Sequence, residues 1–175
     1  MPRTLITFLG TGEYSETVYQ WPGLGEHSTA HVAAALGKLW EANHVVVLAT
    51  QLAEDSNGAS LRESCALASL PNPVLLRLPD GRSEEELWAQ FQVIRQAIAD
   101  ASAGEVLIDI THGFRAQPFF AGGVLSLLRA AGAGPSLASP FWPTVNIGSW
   151  NPFHPFGTCP SLSKSSTGRR RWVSS

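Results

Sequence analysis

The chain has only two cysteines in 175 residues, Cys65 and Cys159, and they share no metal-binding or redox spacing. That excludes a disulfide framework and a cysteine-based zinc site, and makes a reducing cytoplasm the expected location. Long apolar runs are missing as well. No stretch approaches the roughly 18 consecutive apolar residues that span a bilayer, so no membrane partner is expected. The opening Met-Pro-Arg-Thr-Leu-Ile-Thr-Phe-Leu lacks the apolar core and small-residue cleavage site of a signal peptide. There is no Gly-x-Ser-x-Gly, no Walker phosphate loop and no paired-carboxylate signature. An excess of positive charge is lacking too. With a net charge of −2, DNA is not an expected partner, and any nucleotide must be met by a local site.

One absence is confined to part of the chain. Acidic residues stop at Asp109, and alanine stops at Ala138. Up to Gly134 eight basic residues stand against fourteen acidic ones; from Pro135 onward there are four basic and none acidic. Pro, Ser, Trp and Phe dominate this last stretch, in which residues 145–147 are the one short strand candidate. Residues 1–134 therefore read as a single α/β domain, and 135–175 as an irregular tail. Back-translation of residues 148–173 with GC-rich codons, read two nucleotides later, yields acids, alanines and helical periodicity. The tail is thus expected to be the truncated or frameshifted end of a longer protein. A natural disordered tail is the competing expectation.

What is present is a repeated alternation of strand and helix patterns. Arg3 to Leu9, His44 to Thr50, Val74 to Leu78 and Glu105 to Ile110 are continuous apolar runs that read as buried strands. Helical spacing covers Ser28 to Trp40, with Ser28 or Thr29 as N-cap, and about Gly58 to Leu70. A third helix runs from Ser83 to Ala101, with Ser83 and Glu86 as a capping box, and a fourth from Pro118 to Ala131. Trp88 and Phe91 on the third helix are core or interface candidates. This order predicts a Rossmann-like, mainly parallel sheet with helices on both faces. Right-handed crossovers then place the strands' carboxyl ends on one rim, bringing together Gly10-Thr11-Gly12, Thr50 and Thr111 to Arg115.

The most informative segment is Asp109-Ile110-Thr111-His112-Gly113-Phe114-Arg115, which leads from the fourth strand into an apolar helix. A hydroxyl, an imidazole, a glycine and a guanidinium at the carboxyl end of a buried parallel strand lie where open α/β sheets bind ligands. Thr111, His112, Arg115 and the helix-start amides are donors suited to an anion such as phosphate. The plain alternative is a solvated strand-to-helix turn. Gly10-Thr11-Gly12 lacks the third glycine of a dinucleotide fingerprint, since position 15 is Ser, so no NAD site is expected. Its glycines let a ligand approach the backbone closely, unless they merely make a tight turn. Tyr14 can stack on a base. His27 and His31 have the spacing of a helical pair but no third ligand nearby, so no metal is expected, and no cofactor is implied.

Phe8-Leu9-Gly10-Thr11-Gly12-x-Tyr14, joined to Asp109-x-Thr111-His112-Gly113-Phe114-Arg115 about a hundred residues later, resembles the CARF domains of CRISPR-associated proteins in type III systems. The resemblance covers roughly residues 3–131. It implies a Rossmann-like homodimer whose paired clefts bind cyclic oligoadenylate, the tetramer or hexamer, in antiviral defence. Carried over, the ligand-binding residues are Gly10, Thr11, Gly12, Tyr14, Thr111, His112, Gly113, Phe114 and Arg115, beside the rim residue Thr50. Many such proteins add a HEPN ribonuclease, marked by Arg followed four to six residues later by His. No Arg here has a His at that spacing, so the expectation is a sensor without a recognisable effector nuclease. Two enzymatic alternatives stand beside it. One is a metal-independent ring nuclease with His112 and Arg115 as catalytic residues. The other is a Rossmann-like enzyme acting on a small phosphorylated metabolite.

Overall fold

Arg3–Leu9 forms the first strand, β1, and every residue in it after Arg3 is buried. The computed structural model describes residues 1–101, 103–114, 116–132, 134–137 and 144–145, with residues 137, 144 and 145 described by their backbone. After β1 come a hairpin of Thr17–Trp21 (β2) and Gly25–Thr29 (β3), then Val32–Leu39 (α1) and His44–Ala49 (β4). Gln51–Leu67 (α2), Val74–Arg77 (β5), Glu84–Asp100 (α3), Glu105–Asp109 (β6) and Gln117–Ala130 (α4) continue the alternation. Two-residue strands, Ser136–Leu137 (β7) and Thr144–Val145 (β8), follow.

The main sheet has the order β5-β4-β1-β6-β7, with every pairing parallel. Side chains along a strand alternate between faces, and the core divides accordingly. Leu5, Leu9, Val45 and Val47 pack with Ala53, Leu61 and Cys65 of α2 and the alanines of α1. Ile6, Phe8, Leu48 and Val106 pack with Ile94 and Ile98 of α3 and Ala121 and Val124 of α4. Both faces of the parallel sheet are therefore covered, which is why its strands are continuously apolar and not alternating. The architecture is Rossmann-like α/β, as the sequence predicts. No helix among the described residues is long and apolar enough to cross a membrane.

The order of strands also fixes where the sheet opens. From β1 the chain moves outward through β4 to β5, then returns to place β6 on the other side of β1. The connections leaving β1 and β6 therefore diverge, and the crevice between their carboxyl ends is the switch point at which such sheets bind ligands.

Three local expectations are corrected. Ser28 and Thr29 do not cap α1; they end β3, and His31 is the N-cap, with no side-chain cap bond. Helix α2 begins at Gln51 and not near Gly58, because Thr50 accepts the Ala53 N–H and starts it earlier. The strand candidate at residues 145–147 is seen only as Thr144–Val145, paired antiparallel with Gln20 and Tyr19 of β2. Residues 138–143 and 146–175, most of the predicted tail, lie outside the described residues.

Candidate functional site

Two loops meet at the switch point. Thr7 of β1 and Asp109 of β6 are register partners, and the Thr7 hydroxyl donates to Asp109 Oδ2 at 2.6 Å. The other carboxylate oxygen accepts from the Thr111 N–H at 3.0 Å and the Thr111 hydroxyl at 2.5 Å. A carboxylate that is 5% exposed thus receives three hydrogen bonds. It fixes the turn that carries His112 and Phe114 over the end of β1.

The first loop is held from two sides. Tyr14 folds back so that its hydroxyl oxygen accepts the Gly10 N–H at 2.9 Å. Asn57 of α2 donates to the carbonyls of Gly10 and Gly12 at 2.9 and 3.1 Å. The Ser60 hydroxyl stands within hydrogen-bond distance of the Asn57 carbonyl, at 3.1 Å, and of His31 Nε2, at 2.9 Å, tying α2 to the start of α1. The Tyr14 ring lies between two imidazoles, with centroids 4.4 Å from His31 and 4.8 Å from His112. Burial, reinforced by His112, pushes the His31 pKa down to about 4. Burial also lowers His112, against the opposing pull of Asp109. Both rings are neutral near pH 7. Tyr14 is raised, chiefly by burial.

Between the loops and the β5–α3 connection lies a cleft of about 620 Å³, a size suited to small ligands. Gly10, Thr11, Thr50, His112 and Phe114 line it, with Asp80, Gly81 and Arg82 on the far side and Gln90 and Gln117 between. Arg82 pairs with Asp80 at 2.8 Å, largely in solvent. Leu52 and Phe114, 63% and 57% exposed, give the cleft apolar surface.

No protein-family model matches this chain, and no curated protein does either.

Of the residues singled out by sequence, five line the cleft: Gly10, Thr11, Thr50, His112 and Phe114. Tyr14 does not; with His112 it lines a small cavity against α1 and its ring is engaged by the imidazoles. Gly12 and Thr111 are exposed beside the cleft, and the Thr111 hydroxyl is committed to Asp109. Gly113 packs near Pro118. Arg115 lies outside the described residues. His27 sits in β3 opposite Tyr19 and His31 caps α1, so they do not form the helical pair their spacing implied. Among the described residues no group of three His, Cys, Asp or Glu side chains stands ready to hold a metal. Sequence reading does not single out Asn57, Gln90 and Gln117, nor the Pro79–Arg82 connection, as parts of a site.

Proposed function

We propose that the rim cleft binds a cyclic oligoadenylate, the tetramer or hexamer, and that the chain acts as a CARF-type sensor of type III CRISPR defence in homodimeric form. The observation that carries this reading is the glycine pair of the first loop. Neither Gly10 nor Gly12 has a positive φ, and a Cβ at Gly10 would meet nothing closer than 3.5 Å, at Gly12 nothing within 4 Å. The turn itself does not need glycine there. What the missing side chains provide is bare backbone at the edge of the cleft, where a phosphodiester can come close. Thr11, Thr50 and the first amides of α2 supply donors on that side. Arg115, from the sequence alone, adds a guanidinium able to grip phosphate with two parallel bonds. A ring of repeating phosphates has rotational symmetry, which a two-fold pair of such clefts matches.

Titration calorimetry with cyclic tetra- and hexa-adenylate against linear oligoadenylates tests the reading. Gly10→Ala should lower ring affinity while leaving stability within about 0.5 kcal/mol. Arg115→Ala should weaken it at least about tenfold, since each charge-assisted bond contributes about 1.5–3 kcal/mol. A folded chain that binds neither ring overturns the proposal and favours the metabolite enzyme.

One observation favours ring cleavage as a second reading. His112 is among the residues lining the cleft, and burial keeps its imidazole neutral and able to take a proton near pH 7. The ribose 2′-oxygen would attack the adjacent phosphorus as its proton passes to His112. The bond from phosphorus to the 5′-oxygen would break, that oxygen taking a proton from water while His112 returns its own to solvent, giving a linear product with a 2′,3′-cyclic phosphate and a 5′-hydroxyl. Incubation of cyclic tetra-adenylate under chelator distinguishes the two: intact ligand leaves a pure sensor, and His112→Ala should abolish any opening with a smaller effect on affinity.

A further inference from the structure

Two glutamines sit in the wall of the cleft, Gln90 on α3 and Gln117 at the start of α4, 3% and 4% exposed. Each commits one of its two amide heteroatoms to the backbone. Gln90 Nε2 donates to the Pro79 carbonyl at 2.7 Å, and Gln117 Oε1 accepts the Phe114 N–H at 2.8 Å. A carbonyl only accepts and a backbone N–H only donates, so both amide orientations are dictated by chemistry. That leaves Gln90 Oε1 as an acceptor and Gln117 Nε2 as a donor, neither engaged by any described residue. No buried side-chain polar atom among the described residues lacks a partner. The two unpaired atoms therefore reach the open space of the cleft.

An amide heteroatom that no protein group pairs and that opens on a cleft is available to a ligand. Here there are two, one of each sign, in one cleft whose walls include Leu52, Leu87 and Phe114. We propose that Gln90 and Gln117 read the Watson–Crick edge of a 6-aminopurine. The exocyclic N6–H donates to Gln90 Oε1, and N1 accepts from Gln117 Nε2, while the apolar walls pack on the base faces. That edge lies farthest from the sugar, so it is the one that reaches a cleft wall while the phosphates remain with the glycine loop. The inference rests on the nucleotide reading above and adds the element that makes the site prefer adenine. A hypoxanthine base reverses both groups, presenting O6 to Gln90 Oε1 and N1–H to Gln117 Nε2. Both contacts then become repulsive.

The test compares binding of cyclic tetra-adenylate, the tetra-inosinate ring, a ring of purine ribonucleotides lacking the 6-amino group, and the tetra-uridylate ring. The native chain should bind the adenylate ring at least about tenfold tighter than the inosinate or purine rings. Gln117→Glu keeps an oxygen for the Phe114 N–H and places a second oxygen where the free donor stood. It should lose affinity for adenylate and gain it for inosinate, an inversion that misfolding does not produce. Equal binding of adenylate and inosinate by the native chain, or an unchanged preference in Gln117→Glu, overturns the base-edge assignment. Tight binding of every ring regardless of base rejects this inference alone. Binding of none rejects the nucleotide reading together with it.

Discussion

At the scale of single residues, the turn that carries the site depends on a few buried polar groups. Asp109 is the clearest. Its carboxylate accepts from the Thr7 hydroxyl and from both Thr111 groups, so Asp109→Asn removes the charge from all three bonds and turns the Thr7 hydroxyl from donor to acceptor. The loss should be about 1.5–3 kcal/mol, read as a lower urea midpoint at unchanged slope; a variant as stable as the native chain would contradict the network. His31 makes stability depend on pH. Its folded pKa is about 4, while an imidazole in the unfolded chain titrates near 6.5. Between those values the unfolded state binds more protons, so stability rises with pH across the window and is lost as pH falls from about 6.5 to 4. The loss is at most about 3 kcal/mol, and the lowered pKa of His112 acts with the same sign. His31→Gln should flatten the difference between urea curves at pH 7 and pH 4.5. An equally steep fall in the variant would show that His31 is not the group responsible. The segment holding Asp109, Thr111 and His112 stood out in sequence because polar groups follow an apolar run, but the part of Asp109 as acceptor for Thr7 and Thr111 did not. Neither did Asn57, Gln90 and Gln117. A lone amide in a helix carries no spacing signature, and only packing brings these three to one rim.

At the scale of elements, legibility followed the strength of the apolar pattern. The strands β1, β4, β5 and β6 and the helix α3 are continuous or strongly periodic and were placed to within a few residues, whereas β7, parallel to β6 at Ser136–Leu137, falls in the stretch read as an irregular tail. Ser83 caps α3 through the Glu86 N–H as the motif predicts, although the Glu86 carboxylate turns to the Arg82 N–H and not to that of Ser83. The β2–β3 hairpin was missed because its strands carry mostly polar residues and only Tyr19, Trp21 and Thr29 are buried. The first turns of α2 were missed for the same reason: Leu52 is exposed and Ala53 alone is buried near its start. Yet that stretch of α2 is where the helix acts on the site, through Asn57. Asn57→Ala frees the carbonyls of Gly10 and Gly12, both close to solvent, so global stability should fall by only about 1 kcal/mol. Hydrogen exchange at the loop amides should accelerate, and cyclic tetra-adenylate should bind more weakly. Unchanged exchange and affinity would mean that Tyr14 alone holds the loop.

At the scale of the whole molecule, the decisive feature is the reversal of strand order beside β1. Because β4 and β5 lie on one side and β6 on the other, two loops a hundred residues apart in sequence close on one crevice. The cleft at that crevice is roughly 620 Å³ in volume, while a ring of four nucleotides repeats its phosphate and its base around an axis. On the proposed reading, such a cleft with its glycine loop and its two amides addresses only part of the ring, and the remainder is left for a second, symmetry-related copy. Calorimetry should therefore give one cyclic tetra-adenylate per two chains, and light scattering should show the ring driving or tightening a dimer. Mass action adds a further signature. At ligand concentrations about a hundredfold above Kd the bound form gains about 2.7 kcal/mol, so the thermal midpoint should rise with ring concentration and, while dimerisation is incomplete, with chain concentration as well. One ring per chain, with a midpoint indifferent to chain concentration, would leave each cleft working alone and remove the homodimer from the proposal.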